Sequence, residues 1–565
     1  MPQELGRLEH LTVLRLWGRL LFYENKDMRL MLSGSIPQEL GLLQNFEELD
    51  LSWNALSGSI PTVLSNCSKL VSMDFDSNTL TGPIPEEFGQ LERLQYLHLA
   101  MNNLSGPKPP SLGNCSKLVF MNLGGNTLTR PISEEFGQLE RLEYLFLTEN
   151  SLSAPIPPLL GNCSKLVALA LSSNNLTGPI PEEFGQLERI QYLVLIENSL
   201  SATISPSLGN CSKLVALALS SNNLTGLIPE EFGQLERLQY LVLKENSHSA
   251  TIPPSLGNCS NLQGLYLQNN SLSREIPSFI LPNLIGLDLS FNHLTGSIPV
   301  FFYATIPNLT FVDCHNNLMS INLSFKLQAN SLLESLDLSN NNISASFPWA
   351  VMQLKNLKVL SLANNFLSGG LVLDFGDYAN CSMQSLLIAG NIFSGTFPGS
   401  IQLCQELKVL DLSDNNFHGG MPSRLDGLLV LKGATTFLTL YIGKDETYGV
   451  LVEFNTVLSY KGVISATLGQ MKALETFDLS NNYLTGSIPQ VLLSLDSLGV
   501  LNLSRNNLSS PIPSGASGVQ TNTLLTVAAL FPGNKGLCGQ PSNRSCAMAV
   551  GPSSPQRVQI LHLHF

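Results

Sequence analysis

Leucines recur along this chain in a fixed frame. Leu94, Leu97 and Leu99 precede Asn102 and Leu104, and a matching set returns one period later, with an asparagine every 24 residues from Asn54 to Asn270. Within each period the Leu-x-Leu step alternates apolar and polar positions. This is the two-residue repeat of a strand whose leucines face a core and whose x positions face solvent. So short a strand cannot bury its leucines alone. Repetition at this period removes the difficulty by stacking, since each coil covers the next, and the product is a solenoid with one strand per coil. The expected fold is mostly β, with a parallel sheet on the concave face and loops and short 3₁₀ turns on the convex face. About twenty coils at the ~4.8 Å strand spacing make an array roughly 95 Å long.

Eighteen asparagines occupy the polar end of the frame, Asn482 and Asn506 being the last. Each stands where the chain leaves its strand. Its amide can satisfy backbone groups of neighbouring coils, so a structural role is expected for all of them. A longer period overlies the first. Cys67, Cys115, Cys163, Cys211 and Cys259 fall 48 residues apart in Asn-Cys-Ser, and Pro-Glu-Glu-Phe-Gly-Gln-Leu-Glu-Arg begins at Pro85, Pro181 and Pro229. Residues 162–190 and 210–238 differ at only two positions, the mark of tandem duplication.

Departures from the frame delimit the regions. Residues 1–31 hold a partial first repeat that opens in mid-phrase at Met1 and loses register between Trp17 and Met31. The frame then holds over 32–431. Residues 432–466, with Tyr441, Tyr448, Phe454 and Tyr460, form a β-rich insertion free of repeats. Two repeats resume over 467–513, residues 514–546 close the array, and 547–565 read as a disordered tail. No stretch of roughly 18 apolar residues predicts a membrane helix.

Charged residues make up 13% and apolar residues 44%, and the net charge of −13 argues against nucleic acid as a partner. Coils two apart lie ~10 Å from each other, whereas a disulfide needs Cα atoms within ~7 Å. The five cysteines of the longer register are therefore expected free and buried, as is Cys314. Cys381 and Cys404 lie in adjacent coils but one residue out of register, and they too are read as free. Cys538 and Cys546 close a short Gly/Pro/Ser loop and are expected to be bonded. Together with sixteen Asn-x-Ser/Thr sequons, among them Asn103, Asn175, Asn223, Asn308, Asn342 and Asn507, this suits an exported glycoprotein.

Nothing in the sequence has the spacing of a catalytic site. Nucleotide-binding, zinc-protease, nucleophile-elbow and kinase motifs are all missing. Paired acids such as Glu182-Glu183 recur with the repeat on a convex turn and converge on no pocket. His98 and His315 stand at solvent-facing strand positions and read as solvated imidazoles. No catalytic residue, metal site or cofactor is expected.

The frame L-x-x-L-x-x-L-x-L-x-x-N-x-L-x-G-x-I-P has its second half at Gly58-Ser59-Ile60-Pro61 and Gly486-Ser487-Ile488-Pro489. It resembles the plant-specific class of leucine-rich repeats found in receptor-like kinases, receptor-like proteins and polygalacturonase inhibitors. The insertion ending Tyr460-Lys461-Gly462 resembles the island of such receptors, and Gly533-Asn534-Lys535-Gly536-Leu537-Cys538-Gly539 resembles their carboxy-terminal cap. The resemblance implies a non-catalytic ectodomain at the plasma membrane or in the apoplast, acting in signal transduction and defense response. It would bind a peptide or microbial protein ligand and recruit a co-receptor or adaptor kinase near its carboxy-terminal repeats. A soluble inhibitor of cell-wall-degrading enzymes is a second reading and a non-functional receptor fragment a third; the length and the island favour the receptor. The family's signal peptide, amino-terminal cap, membrane span and kinase domain have no counterpart in this sequence, so it reads as an ectodomain truncated at both ends, the membrane tether belonging to the parent protein. An Arg-x-Arg pair that some peptide receptors use to hold a ligand carboxylate is also missing.

Strand alternation places a candidate ligand stripe on the concave face. Tyr144, Tyr192 and Tyr240 share one register, while Phe146, Val194, Val242 and Tyr266 hold the central one, with Ile196 beside them. All are expected to face solvent, and contiguous exposed aromatics mark binding surfaces. Glu149, Glu197 and Glu245 run alongside, with Lys244 as one cation, so an extended ligand with apolar side chains and a net positive charge suits the stripe. Asp50, Asp288, Asp337 and Asp411 mark coils of a more polar kind.

Overall fold

The computed structural model describes residues 3–8, 10–18, 31–278, 281–297, 306–320, 331–348, 351, 354–371, 382–398, 401, 404, 406–420, 438–442, 452–456, 476–488, 500–512, 533–534, 536–538 and 546. The off-register segment after Gly18, most of the insertion and the tail after Cys546 lie outside the described residues. The chain divides into two compact units, 1–359 with 436–462, and 360–435 with 463–565.

One coil of the first unit shows how the repeat folds. The strand Tyr192–Val194 is followed by a second strand, Ser199–Thr203, then by the 3₁₀ helix Pro206–Asn210, and the next coil begins at Ala216–Ala218. Strand pairs with strand in parallel register, Leu193 beside Leu169 on one side and Leu217 on the other. Proline or serine sets the entry to each 3₁₀ helix. Pro181, with φ −57°, precedes Glu182–Gln186 and accepts from Phe184 N at 3.2 Å. The phenylalanine of this phrase turns inward, and Phe88, Phe136, Phe184 and Phe232 are fully buried. Its glycine is required by packing. A Cβ on Gly185 would stand 2.5 Å from Ser207 O of the next coil, so the helices stack closely only because that atom is missing.

The repeating asparagine ties coil to coil as expected. Asn174 donates from Nδ2 to Leu147 O (3.0 Å) in the preceding coil and to Ser172 O (3.0 Å) in its own, while its Oδ1 accepts from Leu152 N at 2.9 Å. The residue just before each asparagine turns left-handed to let this happen, as at Glu149, Glu197 and Glu245 with φ of 52°, 55° and 56°. Asn534, in the closing segment, extends the series: it donates to Leu503 O at 2.7 Å and accepts from Leu508 N at 3.0 Å.

A second parallel sheet was not foreseen. Twelve strands from Ser33–Gly34 to His293–Thr295 pair coil by coil on the far side of the asparagine turns. The 3₁₀ helices follow it around the coil. The β-branched threonines of Leu-Thr-Gly favour this extended path, and Gly178 and Gly226 leave it at φ of 73° and 75°.

In the second unit Val409–Asp411 pairs directly with Thr476–Asp478, so the intervening 64 residues enter within a single coil step and leave the stacking intact. Inside that interval Leu438–Ile442 and Val452–Thr456 form an antiparallel pair. Cys538 and Cys546 are joined, with Cα atoms 5.0 Å apart. Cys67, Cys115, Cys163, Cys211, Cys259 and Cys314 are free and buried. Sγ of Cys163 donates to Phe136 O at 3.3 Å, and burial pushes its thiol up to about 11. The expectation for Cys404 fails: it is disulfide-bonded, with a partner outside the described residues. One residue of register is a shift that loop backbone can absorb, so the spacing rule for regular coils does not extend to it.

One core position breaks the pattern. His248 replaces the leucine of Asn-x-Leu, is 0% exposed, and completes no hydrogen bond through either ring nitrogen. Burial lowers its pKa to about 4, with the Gly226 backbone pulling part of the way back. The unfolded imidazole takes up its proton near 6.5, so stability is lost as pH falls from there toward 4. His248→Leu should raise the melting temperature at pH 7.5, and at pH 5 should add a further gain of about 2 kcal/mol; equal melting curves for the two proteins at pH 5 would contradict this. Alkylation after denaturation without reductant should label the six free cysteines and spare Cys404, and a modified Cys404 peptide in mass spectra would show that bond to be absent.

Candidate ligand face

On the open face of the first unit's strand sheet, the residues either side of each central leucine form two columns. Tyr144, Tyr192 and Tyr240 alternate with Ala168, Ala216 and Gly264 in one. Phe146, Val194 and Val242 alternate with Ala170 and Ala218 in the other, which ends at Tyr266. Large and small side chains thus alternate with a two-coil period, and the alanines lie buried beneath their larger neighbours. Together with Phe120 these residues form one continuous apolar cluster. Phe120 lies 5.8 Å from Tyr144 and 5.6 Å from Phe146, ring centre to ring centre.

The central register departs from expectation. Phe146, Val194, Val242 and Tyr266 point away from the core leucines as alternation requires, yet they are only 6%, 3%, 3% and 4% exposed. Strand spacing explains this, since bulky neighbours ~4.8 Å apart roof one another. Tyr266 goes furthest. Its ring lies where the side chains of Gly264 and Gly286 would be, with a Cβ on either placed 2.6 or 2.7 Å from a Tyr266 atom. Its phenol is pushed up to about 12 by burial. The accessible parts of the stripe are the half-buried Tyr144, Tyr192, Ile196, Tyr240 and Lys244. Tyr240 donates its hydroxyl to Gln263 Oε1 at 2.7 Å. Glu149, Glu197 and Glu245 are exposed at the left-handed turns, and Ser173 and Ser221 donate to Glu197 and Glu245 at 2.8 and 2.7 Å.

Both ends of the apolar stretch carry carboxylates and an imidazole, which the sequence reading missed. At one end Asp50 and Asp74 are strand neighbours, and Asp74 pairs with His98. His98 Nδ1 lies 3.8 Å from Asp76 Oδ2, and its ring stacks on Phe120 at 4.4 Å. At the other end Asp288, Asp313 and Asp337 succeed Tyr266 in the same column. His315 Nδ1 meets Asp313 Oδ1 at 2.6 Å and its ring packs edge-on to Phe291. These histidines are therefore partnered, and not merely solvated. The signal was present in the repeat, since Leu-Asp-Leu-Ser in consecutive coils must stack its aspartates.

Burial pushes Asp74 and Asp288 up to about 7, with repulsion from Asp76 and Asp313 respectively adding to it. Asp337 is raised by burial and by Asp313. Burial opposes a charge on His315, but its bond to Asp313 and the surrounding carboxylates prevail and raise its pKa. Asp313, His315 and Asp337 hold one ligand atom each within 4.8 Å of the others, donors of the kind that divalent cations take. Asn103, Asn175, Asn223, Asn308, Asn342 and Asn507 are all exposed, as a glycan acceptor must be.

Comparison with known proteins places this geometry. The Leucine rich repeat family matches residues 44–104, 92–152 and 212–272, with further copies at 331–369 and in five shorter stretches between 165 and 518. A solved plant peptide hormone receptor, RGFR1 in complex with RGF2, superposes with a TM-score of 0.78 at 33% identity, over 95% of this chain and 80% of that one. The chain belongs to the leucine-rich-repeat receptor ectodomains of plants. Within that family, the Arabidopsis receptor kinase HAESA, solved with the peptide hormone IDA and the co-receptor SERK1, matches with a TM-score of 0.68 at 29% identity, covering 96% of this chain and 89% of that one. Receptor-like protein 7 of Arabidopsis thaliana is 33% identical over 121 residues, 17% of this chain and 12% of that protein. The chain thus matches only a small part of the length of such relatives. No helix among the described residues is long and apolar enough to cross a membrane.

The acid ladder has a measurable signature. Asp288 is raised from 3.8 to about 7, so the fold holds its proton more tightly than the unfolded chain, and stability falls as pH climbs through that interval. Asp288→Asn keeps an acceptor for Ser290 and should melt higher than wild type at pH 8, with the difference vanishing toward pH 4. A lower melting temperature at pH 8 would contradict the repulsion.

Proposed function

We propose that this chain is the non-catalytic ligand-recognition part of a plant cell-surface receptor, and that it binds an extended peptide along the face from Tyr144 to Tyr266. The observation that carries this reading is the row of half-buried tyrosines along one apolar face. A soluble protein rarely leaves such a strip of half-covered tyrosines open without an occupant. Ala168, Ala170, Ala216 and Ala218 are covered by their larger neighbours, so a strand-like ligand would lie across the tyrosine edges. The carboxylates beyond Phe120 and Tyr266 favour basic residues flanking an apolar segment. Two solved relatives carry peptide hormones, which makes a peptide the first class of ligand to test. One of them also carries a co-receptor, and the family resemblance would put a kinase partner nearer the carboxy-terminal repeats.

The tyrosines are the anchors and the central register is their support. With a peptide selected from an unbiased library on the whole chain, Tyr192→Ala together with Tyr240→Ala should weaken binding by about 2 kcal/mol or more while leaving the melting temperature nearly unchanged. Val194→Ala, being 3% exposed, should act mainly on stability. Unchanged affinity in the double variant would assign the tyrosines to duplication history alone.

A further inference from the structure

A glycosylation motif changes place once among the asparagine turns. In two duplicated coils the Asn-x-Thr motif begins at Asn175 and Asn223, the first residues of the second-sheet strands Asn175–Gly178 and Asn223–Gly226. In the third copy, 48 residues on, Ser271 holds that place and the motif becomes Asn269-Asn270-Ser271. Its acceptor has moved two residues back, across the buried Asn270, to the open-face side of the turn. Asn269 is exposed, takes a left-handed φ of 54°, and belongs to the coil of Tyr266, in the row of Glu149, Glu197 and Glu245. Its side-chain amide makes no hydrogen bond among the described residues.

Side chains in this row reach toward the next coil. Ser173 and Ser221 donate to Glu197 and Glu245. Met101 Sδ lies 2.6 Å from where a Cβ on Gly125 would stand, and Asn364 Oδ1 fills the same space beside Gly390. Phe291 follows Asn269 in the row, and the two turns are joined by Asn269 N to Ser290 O at 3.0 Å and Asn270 N to Phe291 O at 3.2 Å. Phe291 leans in turn on His315 of the coil beyond, ring centres 4.6 Å apart. It remains 44% exposed, which leaves ring surface for a group projecting from Asn269.

We propose that Asn269 carries an N-linked glycan whose first N-acetylglucosamine lies on Phe291, at the Tyr266 end of the proposed peptide face. The proposal rests on the reading of this chain as an exported receptor part. In the linkage step the amide nitrogen bonds to C1 of the sugar and gives up one proton. The bond from C1 to a lipid-borne diphosphate breaks, and the diphosphate leaves with the electron pair. At a coil spacing of ~4.8 Å, a sugar on an amide that reaches toward the next coil falls over the neighbouring turn. A pyranose offers a face of weakly positive C–H bonds to the negative face of an aromatic ring. The duplicated sites have no such platform, since the equivalent residues one coil beyond Asn175 and Asn223 are Ser199 and Ser247.

The test is secretion of the whole chain from plant cells, with glycopeptides mapped by mass spectrometry. Asn269 should be occupied in most molecules. Finding it bare would overturn the proposal, and bare Asn175 and Asn223 in the same sample would overturn the export reading with it. Hydrogen exchange then reads the contact. Amides of residues 286–292 should exchange about three-fold slower, or more, in the glycosylated chain than in Asn269→Gln. Trimming to a single N-acetylglucosamine should keep that protection, and in a Phe291→Ser background the glycan should give none. A glycan effect of equal size with and without Phe291, or one lost on trimming, would overturn the stacking. None of these measurements requires a bound peptide, so their outcome stands apart from that of the tyrosine face.

Discussion

Everything described here depends on one side chain doing the same thing in every coil. An asparagine amide has two donors and an acceptor on a rigid plane, and at this position it serves the backbone of two coils at once. The buried carbonyls it satisfies would otherwise be left unpaired where the chain leaves its strand, at a cost of about 1–3 kcal/mol each. Because the bonds reach back 27 residues and 22 residues in coils of regular length, as for Asn102 to Phe75 O and Leu80 N, and are kept where the coil length changes, as for Asn482 to Leu412 O across the insertion, they hold successive coils in register as well as in contact. The columns on the open face follow from that register. Without it the tyrosines and the carboxylates would be scattered positions in a sequence.

The fold was legible because repetition turns a weak local signal into a strong one. A single Leu-x-Leu says little, but its return with Asn102 and Asn126 fixes strand, turn and period together. What stayed hidden was whatever depends on a neighbouring coil. Alternation correctly sent Phe146 and Tyr266 away from the leucine core, yet their exposure was decided by Tyr144 and by the bare backbone of Gly264 and Gly286. The partners of His98 and His315 and the stacking of Asp288 on Asp313 were hidden for the same reason. So was the second sheet, whose strands such as Ser199–Thr203 lack any alternating apolar pattern and are specified by pairing and by glycine at positive φ.

Buried ionisable groups lie where regularity is broken. His248 occupies a leucine's place and Lys108 an isoleucine's, the latter 3% exposed and donating to Thr129 O and Arg130 O at 3.1 Å each. Burial brings that lysine down to about 8. The two cases differ in kind: the lysine found carbonyls to bond, and the imidazole did not. Duplicated coils supply many equivalent positions, and such substitutions persist when the surrounding coils remain strong enough to hold them.

The two-coil pitch of the proposed peptide face has a consequence for how a ligand would find its place. Moving a bound strand by two coils would replace Tyr192, Val194 and Ala216 by Tyr240, Val242 and Gly264, so the new environment would be close to the old. The middle of the face is therefore translationally degenerate, like a ruler with identical divisions. If a peptide lies there as proposed, the face would confer affinity by multiplicity but would not by itself say where the peptide begins. Position would be read at the unrepeated marks, the Asp74 and His98 end and the Asp288 to Asp337 end. The distance between those marks in coils would set the length of the message that the face could distinguish.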